Sequence, residues 1–335
     1  MVQMGSLGEF ELIERYFTRA GQALPARVRA GIGDDCALIA PRAGCDLAVS
    51  TDLLVEGRHF LPTVSAAALG HKALAVNLSD LAACGAEPLA FTLTLALPRA
   101  DAAWLDAFSR GLFALADAHR IALVGGDTTK SVQPDGVSPG PHCIGITVLG
   151  DVPQGAALLR SGARPGDECW VSGTLGDARL ALGHWRGEWH LSDAALQAVR
   201  PRMEQPAPRI ALGMALRGVA SSAIDVSDGL LGDLRHVLQR SGVGATLHAD
   251  ALPRSAVLQA QPVPTQRLCT LAGGDDYELL FTAPQAQHGA VLAAAQASGT
   301  PVACVGRITQ ATGVQLMDAN GATIPDDFAS FDHFR

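Results

Sequence analysis

The chain has 335 residues, long for a single core, so two domains are the prior. It is 48% hydrophobic and 17% charged, which excludes a disordered chain. A net charge of −8 and a pI near 5.6 argue against nucleic acid or an anionic membrane as partner.

In chain order, the apolar pattern predicts a helix over about 7–20 and a strand over 47–50. A long Ala/Leu helix follows over about 66–83, stopped by Gly85 and Pro88. Residues 91–97 read as a strand with Thr on one face, 101–119 as a helix, and 121–124 as a short strand ending in Gly125-Gly126-Asp127. The Pro- and Gly-rich stretch 131–141 is a loop, and 142–149 a strand. The character changes near 150, which divides the chain into domains 1–150 and 151–335, with a turn-rich stretch at 160–167. Beyond it come a strand at 168–171, helices near 175–184, 207–218, 229–241 and 286–298, and strands near 245–249, 277–282, 302–308 and 313–317. This order predicts an α+β, mixed α/β fold rather than a doubly wound parallel sheet.

No stretch reaches 18 apolar residues without a charge, and the acidic, helix-patterned start around Glu9 and Glu14 is unlike a signal or transit peptide. The seven cysteines include no C-x-x-C and no zinc spacing, so reduced thiols in a cytoplasmic protein are expected. P-loop, Rossmann, protein-kinase, G-x-S-x-G and H-E-x-x-H motifs are all absent.

What recurs is Asp beside Gly, Ser or Thr. The blocks are Gly33-Asp34-Asp35, Ser50-Thr51-Asp52, Asn77-Leu78-Ser79-Asp80, Gly125-Gly126-Asp127, Asp225-Val226-Ser227-Asp228-Gly229 and Gly273-Gly274-Asp275-Asp276. Nine of the 33 acidic residues fall in these blocks, in a chain otherwise sparing with charge. Each alone reads as turn chemistry or helix capping, Asp228 above all, since a helix follows it. Together they read differently. Asn77 and Asp80 share a helix face inside an apolar stretch, where an unpaired carboxylate is costly. Mg²⁺ suits such hard oxygen donors and bridges them to phosphates, while adjacent glycines let backbone N–H groups approach phosphate oxygens.

The order of these blocks resembles the thiamine-monophosphate kinase family, in the superfamily of aminoimidazole ribonucleotide synthetase and selenophosphate synthetase. The most specific pieces are Ser50-Thr51-Asp52-Leu53-Leu54-Val55-Glu56-Gly57-Arg58-His59-Phe60 and Val76-Asn77-Leu78-Ser79-Asp80-Leu81-Ala82-Ala83-Cys84-Gly85-Ala86. Ser222-Ala223-Ile224-Asp225-Val226-Ser227-Asp228-Gly229-Leu230 and Gly273-Gly274-Asp275-Asp276-Tyr277-Glu278-Leu279 complete the set. The likeness runs from Gly8-Glu9-Phe10 to Phe331-Asp332-His333-Phe334.

The resemblance implies ATP-dependent phosphorylation of thiamine phosphate with several Mg²⁺ ions. It implies a two-domain aminoimidazole ribonucleotide synthetase-like fold that pairs N-terminal sheets across a homodimer. By matching motif it assigns Asp35, Ser50, Thr51, Asp52, Asp80, Asp127, Asp225 and Asp228 to magnesium. Gly126, Asp127, Arg160 and Ser227 are assigned to the nucleotide, and His59, Asp275 and Phe328 to the acceptor; Asp80, Asp127, Arg160 and Asp228 carry the reaction. The chain departs from the family at Asp275, where Glu is usual, and at Phe328, where Trp is frequent. Two other readings stand beside this one: another ATP-dependent synthetase of the superfamily, and a non-catalytic nucleotide- and magnesium-binding protein. The selenophosphate branch pairs a reactive Cys or selenocysteine with an N-terminal Lys, and here no Lys precedes Lys72.

The chemistry agrees with the resemblance. Two unit negative charges ~4 Å apart repel by about 4 kcal/mol at an effective dielectric of ~20. A chain whose only lysines are Lys72 and Lys130 relies on other cations to offset this.

Overall fold

The structure, a computed structural model, describes residues 8–19 and 24–328. The motif Phe331-Asp332-His333-Phe334 lies outside them. By packing, the chain separates into two units: residues up to Leu78 together with Pro88–Asp151, and Ser79–Glu87 together with Val152 onward. A cut at 150 alone does not anticipate that Ser79–Glu87 joins the second unit. No helix among the described residues is long and apolar enough to cross a membrane.

The first unit carries α1 (Glu9–Tyr16), β1 (Val28–Ala30), β2 (Leu38–Ile39), β3 (Cys45–Val55), α2 (Ala66–Cys84), β4 (Glu87–Leu97), α3 (Ala102–Ala118), β5 (Ala122–Lys130) and β6 (Cys143–Pro153). Helix α2 ends, and β4 begins, within the short piece assigned to the second unit. Four strands form one sheet in the order β3-β6-β4-β5, and β1 pairs antiparallel with β2. Helix α2 is apolar on all sides and accordingly buried, so its polar residues Lys72, Asn77 and Ser79 are buried with it. Helix α3 starts where Asp101 accepts the N–H groups of Ala103 and Trp104, both at 3.1 Å, as a side-chain cap.

The two helices approach closely through glycine. A Cβ on Gly70 would lie 2.1 Å from the Phe108 carbonyl oxygen, and one on Gly111 would lie 1.9 Å from that of Ala67.

The second unit continues with β7 (Glu168–Ser172), α4 (Asp177–Trp185), α5 (Asp193–Glu204), α6 (Ile210–Ala215), β8 (Ser222–Asp225), α7 (Leu230–Ser241) and β9 (Gly244–His248). Then come α8 (Ala256–Gln259), α9 (Val263–Ala272), β10 (Leu279–Ala283), α10 (His288–Ser298), β11 (Val302–Thr309), β12 (Gly313–Met317) and β13 (Thr323–Ile324). Its seven strands lie in the order β13-β12-β9-β11-β7-β10-β8, with every neighbouring pair antiparallel except β12 with β9. The core joins Val171, Ile224 and Leu280 from the sheet to Leu230, Leu234 and Val237 from α7.

Two strands run further than their apolar residues predict. Strand β3 extends through Ser50, Thr51 and Asp52, so Asp52 lies within the strand rather than after it. Strand β5 runs through Gly125-Gly126-Asp127 instead of stopping at Val124. Its pairing with β4 passes from Phe91↔Leu123 to Thr92↔Gly125, leaving Val124 as an extra residue. Helices α5 and α9, with Pro201 and Pro264 inside their ranges, lack a strong apolar period and are not predicted.

Gly111→Ala is expected to destabilise the fold by about 1–3 kcal/mol, because a backbone carbonyl cannot retreat without parting the helices. A lowered Tm by differential scanning calorimetry, with unchanged far-ultraviolet circular dichroism at 20 °C, checks this; an unchanged Tm contradicts it.

Candidate active site

In the first unit the candidate residues come from β3, β5 and two loops. Alternation along β3 puts Ser50 and Asp52 on one face and Thr51 on the other. The Thr51 hydroxyl pairs with that of Thr147 at 2.8 Å, so this side chain does not share a face with Asp52. The Asp52 backbone N–H donates to Asn77 Oδ1 at 3.0 Å, and Asn77 Nδ2 donates to the Ala73 carbonyl at 3.0 Å. Asn77 is therefore a buried brace that fixes the strand at Asp52.

On β5 the extra residue sets the register so that Asp127 lies opposite Thr94 rather than Leu95. Gly126 is required there: its φ is +156°, and a Cβ would lie 1.8 Å from the Leu93 carbonyl oxygen. A cavity of about 680 Å³ brings Asp34, Asp35, Gly126 and Asp127 together with apolar Phe17 and Leu123.

His59 lies in the loop after β3, where its Nδ1 accepts the Val55 N–H at 2.9 Å. A neutral His59 thus carries its hydrogen on Nε2, as a donor. Glu56 in the same loop accepts both the backbone N–H of His142, at 3.0 Å, and its ring Nδ1, at 2.8 Å. Burial pushes the Glu56 carboxyl up, but the two His142 bonds and its charge outweigh this and hold it below its usual value. The His142 ring stacks on Trp104 at 4.8 Å.

In the second unit Asp225 ends β8, buried, and its Oδ2 accepts the Ser79 hydroxyl at 2.7 Å. This bond ties Asp225 to the residue beside Asp80. Helix α7 is capped at Gly229, so Asp228 stands one place before the cap and is not the helix cap its position suggests. The amides of Ser227 and Asp228 are instead held from inside the helix. Asp233 Oδ2 accepts both, at 3.1 and 3.2 Å. Burial, then the neighbouring charge of Asp228, pushes the Asp233 carboxyl up to about 7, against the pull of the two amides and of Arg160.

The Gly273–Glu278 segment is a strained loop, not an ordinary turn. Asp275 and Tyr277 have φ of +67° and +50°, a left-handed backbone that costs non-glycine residues about 1–3 kcal/mol each. It is held to the Asp225–Asp228 segment by backbone bonds: Asp275 N–H to Ser227 O at 2.9 Å, Tyr277 N–H to Val226 O at 2.8 Å, and Val226 N–H to Glu278 O at 2.8 Å.

Beneath it two carboxylates are fully buried. Asp276 accepts the Gly176 N–H through both oxygens, at 2.9 and 3.0 Å, and burial pushes its carboxyl well up. Glu278 accepts Ser172 Oγ at 2.6 Å, Arg202 Nη2 at 2.6 Å and Arg209 Nε at 2.7 Å, with a second bond from Arg209. Phe328 packs, half-buried, against the core of this unit alongside Ile324 and Val314.

Sequence reasoning does not single out Asp233, Arg202 or Arg209, and it quotes Asp276 and Glu278 within the Gly273–Leu279 motif without giving either a role. Asp233 leaves one trace, as a carboxylate inside the apolar stripe Leu230, Leu231, Leu234 and Val237. Among the described residues no three His, Cys, Asp or Glu side chains stand close enough to close a metal site from protein alone. The donors fit an ion that keeps water and takes phosphate oxygens, which is the habit of Mg²⁺.

Residues 33–152 match the family model of the AIR synthase related protein N-terminal domain, and 164–319 that of its C-terminal domain. This defines the class as a two-domain AIR synthase related protein. The chain is 44% identical to the thiamine-monophosphate kinase of Salmonella typhimurium over 98% of both chains, and 39% identical to that of Haemophilus influenzae over 98% of this chain and 99% of that one. The crystal structure of thiamine-monophosphate kinase from Stenotrophomonas maltophilia matches with a TM-score of 0.81 at 44% identity, over 89% of this chain and 93% of that one. AaThiL complexed with AMPPCP and TMP matches with a TM-score of 0.74 at 29% identity, over 88% and 89% of the chains. The chain belongs to the thiamine-monophosphate kinase family.

Glu278→Ala is expected to destabilise the chain by about 3–5 kcal/mol, because it strands two partly buried arginines. Urea unfolding checks this; a loss below about 1 kcal/mol contradicts the anchoring role.

Proposed function

We propose that this kinase transfers the γ-phosphoryl group of ATP to thiamine phosphate, giving thiamine diphosphate and ADP. Beyond family membership, the supporting observation is the bonding of the Asp225–Asp228 segment to the Gly273–Glu278 loop. The first carries residues that the resemblance assigns to nucleotide and metal, and the second carries an acceptor residue. In the first unit, the cavity holding Asp35, Gly126 and Asp127 supports a nucleotide subsite with an apolar wall and a polyphosphate end.

By the resemblance, Asp35, Ser50, Asp52, Asp80, Asp127, Asp225 and Asp228 are residues that would hold magnesium. Thr51 would join them through its backbone, since its hydroxyl is committed to Thr147. Bound magnesium supplies charge neutralisation on the phosphates.

The acceptor phosphate is largely ionised near pH 7, with a second pKa of about 6 by analogy with phosphorylated side chains. No strong base is therefore needed. An acceptor oxygen attacks the γ-phosphorus in line as the bond to the bridging oxygen breaks, and that electron pair leaves with ADP. Arg160 and Ser227 orient the nucleotide. His59 donates through Nε2 to the acceptor phosphate, and the Asp275 carboxylate faces the positive thiazolium ring. Phe328 belongs to the acceptor reading on its sequence position alone.

The exposed apolar residues Leu47, Val49 and Leu53 of edge strand β3, 53–59% accessible, support cover of that sheet by a second copy. All seven cysteines are unpaired, which supports a reducing, cytoplasmic setting.

A coupled ADP-release assay with thiamine phosphate, against unphosphorylated thiamine, tests the reaction. Turnover only with the phosphate ester is expected, and its absence contradicts the assignment. Asp228→Asn is expected to lower kcat by roughly 100-fold, about 2.7 kcal/mol of barrier, with Tm unchanged or slightly raised. The sign of the Tm change follows from removing a charge near Asp233 without removing a cap.

Asp275→Asn keeps a residue that tolerates the left-handed backbone while deleting its charge. It is expected to raise KM for thiamine phosphate about tenfold and KM for ATP less than twofold. Equal effects on both would move recognition of the cation elsewhere. Val49→Glu is expected to turn a dimer into a monomer by analytical ultracentrifugation; a wild-type monomer refutes the pairing.

A further inference from the structure

We propose that Asp233 is a positioning residue for phosphoryl transfer, fixing the turn that carries Ser227 and Asp228; the inference rests on the reading of those two residues given above. Asp233 lies at the end of the first turn of α7 and is 3% exposed. Its own N–H bonds to the Gly229 carbonyl at 3.0 Å, so its place in the helix is set. From there its carboxylate reaches back past the helix start to the N–H groups of Ser227, at 3.1 Å, and Asp228, at 3.2 Å. Those amides precede the helix and have no intrahelical acceptor. Gly229, at the capping position, has no side chain to supply one.

Packing alone does not explain an acid here. Leu230, Leu231 and Leu234 are buried beside it, and a leucine in its place would add apolar burial where a carboxylate is penalised. What an acid adds is a fixed turn. The Ser227 carbonyl in turn accepts the Asp275 N–H at 2.9 Å, and a Cβ on Gly274 would lie 2.4 Å from that oxygen. A shift of Ser227 would therefore carry Asp275 with it. Asp233 acts on the reaction through these residues.

The test combines amide hydrogen exchange on the unliganded chain with steady-state kinetics for Asp233→Ala and Asp233→Asn. In folded Asp233→Ala, the Ser227 and Asp228 amides are expected to exchange at least about tenfold faster. Its kcat is expected to fall about 10- to 100-fold, with KM for ATP raised more than KM for thiamine phosphate. Asp233→Asn, whose Oδ1 can accept the same two amides, is expected to restore slow exchange and a kcat within about threefold of wild type.

Unchanged exchange in Asp233→Ala, or faster exchange with unchanged kinetics, overturns the proposal. So does an Asn variant with slow exchange but an Ala-like kcat, since charge rather than position would then matter. If Asp233→Ala does not fold, Asp233→Ser, whose hydroxyl falls short of the amides, is read in its place by the same criteria. A wild-type chain that transfers no phosphoryl group to thiamine phosphate refutes the proposed reaction, whereas the exchange measurement still decides whether Asp233 holds the turn.

Discussion

The second unit depends on carboxylates that are buried and cannot leave. Asp233, Asp276 and Glu278 sit beneath two acidic segments and accept hydrogen bonds from backbone N–H groups, a serine and two arginines. A buried charge without such partners is costly, so each acid constrains whatever satisfies it. The constrained parts are the Asp225–Asp228 segment and the loop through Asp275 and Tyr277, joined by three backbone bonds. Acidic residues therefore fall into two populations, one holding the backbone and one presented by it.

This division explains how a chain of net charge −8 can be built around anionic substrates. The holding acids are largely compensated within the protein: Glu278 by Arg202 and Arg209, and Asp233 by amides and by a pKa near neutrality. The presented acids are the ones proposed above to hold magnesium. Strain is stored in the same place. The left-handed Asp275 and Tyr277 flank fully buried Asp276, which over-determines their backbone. That geometry also gives a physical account of the departure at 275, because Asp enters left-handed backbone more readily than the longer Glu.

Much of the fold is legible in the sequence where apolar periodicity is strong. The long buried helix over 66–84, the strand at 313–317 and the helix over 230–241 follow from composition and stop signals. The failures have identifiable causes. Strand β3 is read too short because Thr51 and Asp52 interrupt its apolar run, while its sheltered face carries Ser50 and Asp52 before buried Leu54. Helices α5 and α9 carry prolines and weak periodicity, which suppress the signal that tertiary packing overrides. Asp228 reads as a cap because Asp before a helix is one so often, whereas the capping position falls to Gly229. The Asp-Gly blocks point to the candidate site because several recur together. Of the acids that hold them, Asp233 escapes notice as an isolated carboxylate in an apolar stripe, whereas Asp276 and Glu278 lie in a quoted motif whose sequence does not tell a buried acid from a presented one.

The extra residue Val124 on strand β5 has a consequence for length variation. Residues 125–130 keep step with 92–97 only because one residue is absorbed at Val124. A chain missing one residue just before Gly125 would regain regular pairing with Asp127 still opposite exposed Thr94. A chain with one residue more would have to absorb it in a second irregularity or slip, placing Asp127 opposite buried Leu95. The strand thus tolerates shortening and resists lengthening, so single-residue deletions, not insertions, are the change this part of the chain can accept while Asp127 stays on its present face.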